Sequence, residues 1–164
     1  MKTIIILGSS RNGGDTAKIV NEVIENSKNW DVINLNDYEI GYYDYEHKNK
    51  EDDYLPLMKK IIAEYDNFIF ATPVYWYSMS GVMKVFFDRF TDLLDIEKDL
   101  GRKLREKNMA VLSCSTGDNL GENFWLPFSE TAYYLGMKFL GGIHMVSKKN
   151  NSNKIKELVS LIEK

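Results

Sequence analysis

Short apolar runs alternate with amphipathic segments along the whole chain. The first run, residues 3–7, is continuous and rich in β-branched side chains, which is typical of a strand buried on both faces of a parallel sheet. The same reasoning predicts five strands, at residues 3–7, 30–35, 68–72, 108–114 and 137–146. The glycine pair Gly141-Gly142 predicts an interruption in the fifth strand.

Between the strands, apolar residues recur at helical spacing. In residues 81–94, Val82, Phe86, Phe90 and Leu93 fall on one face. The predicted helices begin at Asp15 or Thr16 and then cover about 54–65, 81–94, 127–135 and 152–162. Strands that alternate with helices predict an α/β fold, in one domain over residues 1–164, with a parallel sheet covered by helices on both faces.

One connection, residues 36–53, is long and rich in Tyr, Asp, Glu and Asn. A loop of this length inside a compact domain is usually functional or part of an interface. We therefore expect this segment to cover a ligand site or to contact a neighbouring subunit.

Composition argues against several classes of protein. A net charge of −3 and an isoelectric point near 5.5 do not suit a nucleic-acid partner, which needs a basic face. Cys114 is the only cysteine and His47 and His144 are the only histidines, too few for a zinc site of the usual ligands. The apolar run at residues 4–7 is too short for a membrane span or a secretory signal. We expect a cytoplasmic protein with no metal and no membrane partner.

A glycine-rich turn, residues 8–16, joins the first strand to a helix N-terminus. Unpaired N–H groups and the helix dipole favour an anion there. Ser9, Ser10 and Thr16 add hydroxyl donors, and Arg11 adds a planar guanidinium suited to phosphate oxygens. The glycine spacing matches neither a Walker loop nor a dinucleotide fingerprint. The turn predicts a phosphate site, with a plain capped turn as the alternative.

Asp15 does not suit that phosphate, because a carboxylate repels a dianion. We expect its side chain to cap the helix instead. On this interpretation Asp15→Asn keeps or tightens phosphate binding.

An aromatic stretch, residues 72–81, follows the third strand. Pro73 holds the preceding residue extended, so the amides that follow are expected to face a ligand, and Gly81 is expected to make the turn into the next helix. Tyr75 and Trp76 offer flat surfaces for a planar ring. The alternative is that these aromatics belong to the core or to a dimer contact. Because carboxyl strand ends meet at one sheet edge, a ligand is favoured.

A third loop, residues 113–118, ends the fourth strand with small, hydroxyl-bearing residues that could close the same crevice. The alternative is an ordinary αβ-type connection. Cys114 is expected to be a buried strand residue rather than a nucleophile. His144 is expected to be structural. For the pair Asp88-Arg89 we expect a surface or inter-subunit salt bridge.

Together these loops resemble the NAD(P)H-dependent FMN reductase and flavodoxin-like quinone reductase family. The resemblance lies in Gly-Ser-Ser-Arg…Gly-Gly-Asp-Thr at 8–16, Thr-Pro-Val-Tyr-Trp-Tyr-Ser-Met-Ser-Gly at 72–81, Lys-Val-Phe-Phe-Asp-Arg at 84–89 and Ser-Thr-Gly at 115–117. It implies a flavodoxin-like, doubly wound sheet of order 2-1-3-4-5 and one non-covalent FMN per subunit. The phosphate would be held by Ser9, Arg11, Gly14, Asp15 and Thr16. The isoalloxazine would be framed by Pro73, Val74, Tyr75 and Trp76, with Ser115, Thr116 and Gly117 along its other edge.

The resemblance also implies a homodimer or homotetramer, and Met83, Phe87 and Leu94 on helix 81–94 suit such an interface. No cysteine cluster follows the second strand, which excludes an iron–sulfur relative.

The leading functional hypothesis is an oxidoreductase. NAD(P)H reduces FMN by hydride transfer to N5, and the electrons pass to a quinone, a nitro or azo compound, or free flavin. No catalytic side chain is required, and backbone amides at residues 74–76 are expected to stabilise the reduced flavin. The alternative is a flavodoxin-type electron carrier without NAD(P)H turnover, although Arg11 and the modest charge favour the reductase. A receiver-like signalling module lacks its acidic residues here, and a cofactor-free binding protein is the least favoured class.

Overall fold

The computed structural model describes residues 1–163, so Lys164, the last residue of the expected domain, lies outside the described residues. All five predicted strands are present and pair in parallel. The strands are β1 (Thr3–Leu7), β2 (Trp30–Asn34), β3 (Asn67–Pro73), β4 (Asn108–Ser115) and β5 (Lys138–Val146). Their order is β2-β1-β3-β4-β5, which confirms the predicted topology.

Helices fill the connections between the strands. They are α1 (Asp15–Asn26), α2 (Tyr54–Glu64), α3 (Gly81–Asp88), α4 (Asp92–Asp95), α5 (Lys98–Arg102), α6 (Leu126–Leu135) and α7 (Ser152–Ile162). Short 3₁₀ turns lie at Leu35–Asp37, Arg89–Thr91, Lys103–Glu106 and Glu122–Trp125. The helix predicted over 81–94 is therefore two helices, α3 and α4, joined by a 3₁₀ turn at Arg89–Thr91.

The core lies on both faces of the sheet, as the continuous apolar strands require. Because side chains alternate along a strand, Ile4 and Ile6 belong to one cluster while Ile5 and Leu7 belong to the other. The first cluster is covered by α2, α3 and α6, and the second by α1 and α7. Parallel order then places the carboxyl ends of all five strands at one edge.

The glycine pair in β5 marks a real irregularity. Met109 pairs with Phe139 and Ala110 pairs with Gly141, so one extra residue of β5 bulges at this point. Gly141 has φ +130°, a conformation that favours glycine. The predicted interruption is therefore a β-bulge, and β5 continues through it to Val146.

Candidate functional site

Loops after β1, β3, β4 and β5 surround a cavity of about 270 Å³ at the carboxyl edge of the sheet. Its lining residues are Ser9, Arg11, Asp15, Thr16, Pro73, Val74, Tyr75, Cys114, Ser115, Thr116 and Ser147. Nine of the twelve candidate residues are thus brought together. Gly14, Trp76 and Gly117 are not among the residues that line this cavity.

One end of the cavity is the N-terminus of α1. Gly14 is the N-cap residue, and no side chain caps the helix within the described residues. Its first-turn N–H groups are therefore left for a ligand. Ser9 is buried and its Oγ accepts a hydrogen bond from the Arg11 amide at 3.5 Å, so its O–H can still donate. The donors at this end, together with the exposed Arg11, suit an anion.

The expected cap by Asp15 is wrong. Asp15 is the first residue of α1, because Gly14 takes the N-cap position. Asp15 is one of the residues that line the cavity, and its carboxylate lies 3.8 Å from Lys18 Nζ. A negative charge therefore lies close to the end of the cavity that suits an anion.

Cys114 forms part of the floor of this cavity and is 3% exposed, which confirms that it is a buried strand residue. Burial raises the pKa of its thiol to about 11, although a hydrogen bond with Thr16 acts in the opposite direction. The thiol therefore stays protonated at neutral pH and is a poor nucleophile.

The aromatic stretch after β3 folds into a two-residue hairpin. Tyr75 and Ser78 exchange both backbone hydrogen bonds, at 2.9 and 3.0 Å, around Trp76 and Tyr77. Trp76 and Tyr77 have φ values of 50° and 61°, the left-handed pair that a type I′ turn requires and that Asn-Gly usually supplies. Two aromatic residues in this conformation are strained.

The chain reverses at this hairpin, so the expected turn at Gly81 is wrong. Gly81 is the first residue of α3, and the Oγ of Ser80 caps that helix by accepting from the Met83 amide at 3.0 Å. The same Oγ donates to the Gly8 carbonyl at 2.7 Å. Ser80 therefore ties the first loop to the start of α3.

The amides expected to serve a ligand are mostly used by the protein. The N–H of Val74 donates to the Cys114 carbonyl, and that of Tyr75 to the Ser78 carbonyl, each at 2.9 Å. Within residues 1–163, the amides of Trp76 and Tyr77 have no protein acceptor. The expectation that these amides face a ligand is therefore wrong for Val74 and Tyr75, because their N–H groups donate within the sheet and the hairpin.

Ser147, at the end of β5, lines the cavity but was not expected there. Its N–H donates to the Ser115 carbonyl at 2.8 Å, which extends the pairing of β4 and β5 past the strands. The rule that parallel strands end at one edge could have found it, since β5 neighbours β4.

The salt bridge of Arg89 is neither at the surface nor between subunits. Arg89 is 1% exposed and its guanidinium binds Asp52 through both terminal nitrogens, at 2.5 and 3.1 Å. Its Nε donates to Asp92 at 2.6 Å, and its terminal nitrogens also reach the carbonyls of Gly41 and Asn49, at 2.9 and 3.0 Å. The expected surface or inter-subunit salt bridge is thus wrong for Arg89, whereas Asp88 does form a surface pair, with Lys84 Nζ at 2.5 Å.

This buried network anchors the 36–53 segment to the 3₁₀ turn at Arg89–Thr91 and to α4. Burial of Asp52 pushes its pKa up, but hydrogen bonds from Arg89 and from the amides of Tyr54 and Gly41 hold the pKa below its usual value. His47 joins the network through Nδ1, 3.1 Å from Asp92 Oδ1. The long connection is therefore an ordered part of the fold.

The 36–53 segment does not contribute to the lining of the 270 Å³ cavity within the described chain. It walls a second cavity of about 540 Å³, whose other side is the first turn of α3. Its lining residues are Ser10, Leu35, Asn36, Tyr38, Ile40, Tyr42, Gly81, Val82 and Val85. The smaller cavity is the better candidate site, because it alone combines a helix N-terminus with Arg11, Ser9 and Thr16.

The interface expected on helix 81–94 is only partly available. Met83 and Phe87 are 0% and 8% exposed and belong to the core, so that expectation is wrong for them. Leu94 is 38% exposed. In the described part of the chain, no helix is long and apolar enough to cross a bilayer.

Comparisons with known proteins agree with this geometry. Residues 1–151 match the family model described as NADPH-dependent FMN reductase. YwqN of Bacillus subtilis, named as an NAD(P)H-dependent FMN-containing oxidoreductase, is 30% identical over 152 residues, which are 86% of this chain and 82% of that protein.

Solved structures show the same fold. The Trp repressor binding protein from Bacillus subtilis has a TM-score of 0.76 at 22% identity, over 98% of this chain and 97% of that one. The two-electron reduced flavodoxin of Megasphaera elsdenii has a TM-score of 0.57 at 14% identity, over 97% of each chain. The expected flavodoxin-like fold is confirmed.

Proposed function

We propose that this chain, which belongs to the NADPH-dependent FMN reductase family, takes a hydride from NAD(P)H and passes the electrons to a small acceptor. Family membership makes it an oxidoreductase with FMN as cofactor and NAD(P)H as co-substrate. The proposal concerns the finer steps: the site at the 270 Å³ cavity, transfer through flavin N5, and a quinone, a nitro or azo compound, or free flavin as acceptor.

The residues at the first loop fit the phosphate of FMN. Arg11 supplies a charged donor, Ser9 and Thr16 supply hydroxyls, and α1 supplies uncapped N–H groups. Gly14 belongs to this group through its backbone, as the N-cap residue. Asp15 opposes the phosphate with its charge, so the affinity is set by a balance between Arg11 and Asp15.

The residues of the other loops fit a planar ring. Pro73, Val74 and Tyr75 form one wall, and Ser115 and Thr116 form another. A cavity of 270 Å³ is slightly below the range of about 300–1,000 Å³ usual for small-molecule sites, so a ligand of this kind extends into solvent. We propose that Trp76 and Gly117, beside these walls, border the protruding part.

When bound, FMN supplies the hydride chemistry, accepting at N5 and releasing electrons to the acceptor. The chain's part is to bind and orient the ring, and we assign no catalytic acid or base. The amides of Trp76 and Tyr77 are the turn donors left to stabilise negative charge on a reduced ring.

The observation that carries this proposal is the convergence of four loops, separate in sequence, on one cavity whose lining includes the anion donors of the first loop and the residues of the other loops that fit a planar ring. The test is the visible spectrum of purified protein loaded with FMN, followed by anaerobic addition of NADPH. We expect a flavin spectrum that bleaches rapidly, and then recovers on addition of a quinone.

A variant of the phosphate loop makes this test specific to the site. Arg11→Gln should weaken FMN binding but leave riboflavin binding unchanged, because riboflavin lacks the phosphate. A matched control is Arg102→Gln, whose exposed guanidinium pairs with Asp99 at 2.6 Å. Equal affinity of wild type and Arg11→Gln for FMN would place the phosphate elsewhere.

The electron-carrier alternative makes a different prediction for the same experiment. A flavodoxin-type carrier would hold FMN but would not bleach with NADPH. The charge of −3 and the arginine in the phosphate loop favour the reductase.

We also propose that the chain works in the cytoplasm as a homodimer or homotetramer, as the family resemblance implies. Leu94, Tyr133 and Tyr134 lie around a shallow apolar cavity and are 38%, 82% and 76% exposed, which supports an interface there. Light scattering after size-exclusion chromatography measures the assembly directly.

A further inference from the structure

His144 makes a set of contacts that a purely packed histidine does not need. In the parallel register it lies opposite Ser113, on the strand beside β4. Its Nδ1 is 2.8 Å from Ser113 Oγ, and its Nε2 is 2.9 Å from the Gly117 carbonyl and 3.1 Å from Ser115 Oγ. One ring therefore joins β4 to the loop that follows it.

These partners determine which nitrogen carries the proton. The Gly117 carbonyl can only accept, so Nε2 must donate. Ser113 can then donate its O–H to an unprotonated Nδ1. A donating Nε2 and an accepting Nδ1 therefore form an arrangement that fits the contacts with Gly117 and Ser113.

The contacts also set the role of Ser115, which lines the candidate cofactor cavity. Its Oγ donates to the same Gly117 carbonyl at 2.7 Å, so its proton is already used. One lone pair of this Oγ faces the Nε2–H group at 3.1 Å, and the other is left for a ligand, which suits an N–H group such as the one on the pyrimidine edge of a flavin. The carbonyl of Gly117 is thereby held by two donors.

We propose that His144 is a positioning residue that fixes the Ser115–Gly117 loop in the shape that receives the flavin ring. The inference rests on the proposed function, since it assigns the ligand of that loop. Without the Nε2 donor the loop samples other conformations. The apparent affinity for the flavin then falls in proportion to the fraction of protein molecules whose loop keeps the binding-competent conformation. This loss of affinity concerns the flavin ring and not the phosphate, because the phosphate is assigned to Arg11 and the N-terminus of α1, which belong to a different part of the site.

The test compares FMN with riboflavin, titrated into cofactor-free protein by flavin fluorescence. We expect His144→Leu to weaken both ligands by the same factor, about tenfold for one lost hydrogen bond and the ordering it provided. His144→Gln, whose amide nitrogen can stand in for Nε2, should restore most of the affinity, whereas His144→Asn, which mimics Nδ1, should not. His47→Gln is the matched control and should leave both affinities unchanged, because His47 contacts Asp92 outside the cavity.

Other results would overturn the inference. If His144→Leu left both affinities unchanged, or weakened the binding of FMN alone, the imidazole of His144 would not act through the Ser115–Gly117 loop. Nitrogen-15 NMR of wild-type protein without cofactor decides the point even if the variants fail to fold: a proton on Nε2 is expected, and a proton on Nδ1 alone contradicts it. Wild-type protein that binds neither flavin would refute the proposed function, while the tautomer would still report on the contact.

Discussion

Removal of the buried guanidinium of Arg89 should destabilise the protein far more than removal of an exposed one. Arg89→Met leaves the carboxylates of Asp52 and Asp92, whose side chains are only 14% and 3% exposed, without their cation. It also strips the carbonyls of Gly41 and Asn49 of a donor. Breaking a buried ion pair by removing one partner costs about 3–5 kcal/mol, so we expect the free energy of unfolding to fall by that amount.

Arg102→Met provides the matched control. Arg102 pairs with a single aspartate, Asp99, at 2.6 Å, and the two side chains are 63% and 93% exposed. An exposed pair contributes about 0–1 kcal/mol. Arg89→Lys keeps the charge but lacks the planar guanidinium that binds Asp52 through two nitrogens. Its loss of unfolding free energy should therefore lie between those of Arg89→Met and Arg102→Met.

Urea unfolding followed by circular dichroism measures all three variants. Trypsin should also cut Arg89→Met faster after Lys48 and Lys50, which lie in the segment that the network holds. Equal unfolding free energies for Arg89→Met and Arg102→Met would refute the reasoning, because the network would then stabilise no more than a solvated pair does.

Three further predictions concern the cofactor site, the stability at acid pH and the hairpin after β3. Asp15→Asn should tighten FMN binding about fivefold, equivalent to about 1 kcal/mol of removed repulsion, with riboflavin affinity unchanged; weaker FMN binding would show that Asp15 aids the phosphate. The pKa of Asp52 is lowered from 3.8 in the folded protein, so its contribution is complete above that pH and is lost as the pH falls through the folded value. Asp52→Asn should therefore flatten the dependence of unfolding free energy on pH below about 4, and an unchanged slope would contradict this. Tyr77→Gly should raise the unfolding free energy by about 1 kcal/mol through relief of left-handed strain, measured by urea unfolding, and a destabilised variant would mean that the side chain is anchored.

The fold was predictable because its determinants are local. Each buried strand is an apolar run and each helix has an apolar stripe, so the alternation of the two indicates the architecture. Pairings between distant residues were not predictable. The partner of Arg89 at Asp52 lies 37 positions away, and only Asp92, three positions along the helix, gave a local signal.

Two features of the site depended on backbone conformations that composition does not reveal. The N-cap fell on Gly14, one residue before the expected cap, which turned Asp15 toward the cavity. Trp76 and Tyr77 adopt left-handed conformations although aromatic residues rarely do. Ser147 was missed because the loop after β5 contains no glycine-rich or aromatic pattern.

In the hairpin after β3, the backbone bonds that hold the turn are independent of the side chains that the turn exposes. Its closing bonds join the backbones of Tyr75 and Ser78 only, so the side chains of Trp76 and Tyr77 take no part in its hydrogen bonding. They are also 95% and 66% exposed. Natural variation can therefore exchange these two rings while the walls of the cavity stay in place. A lineage built on this scaffold can diversify the molecules it meets at that rim and still inherit the cavity behind it unaltered.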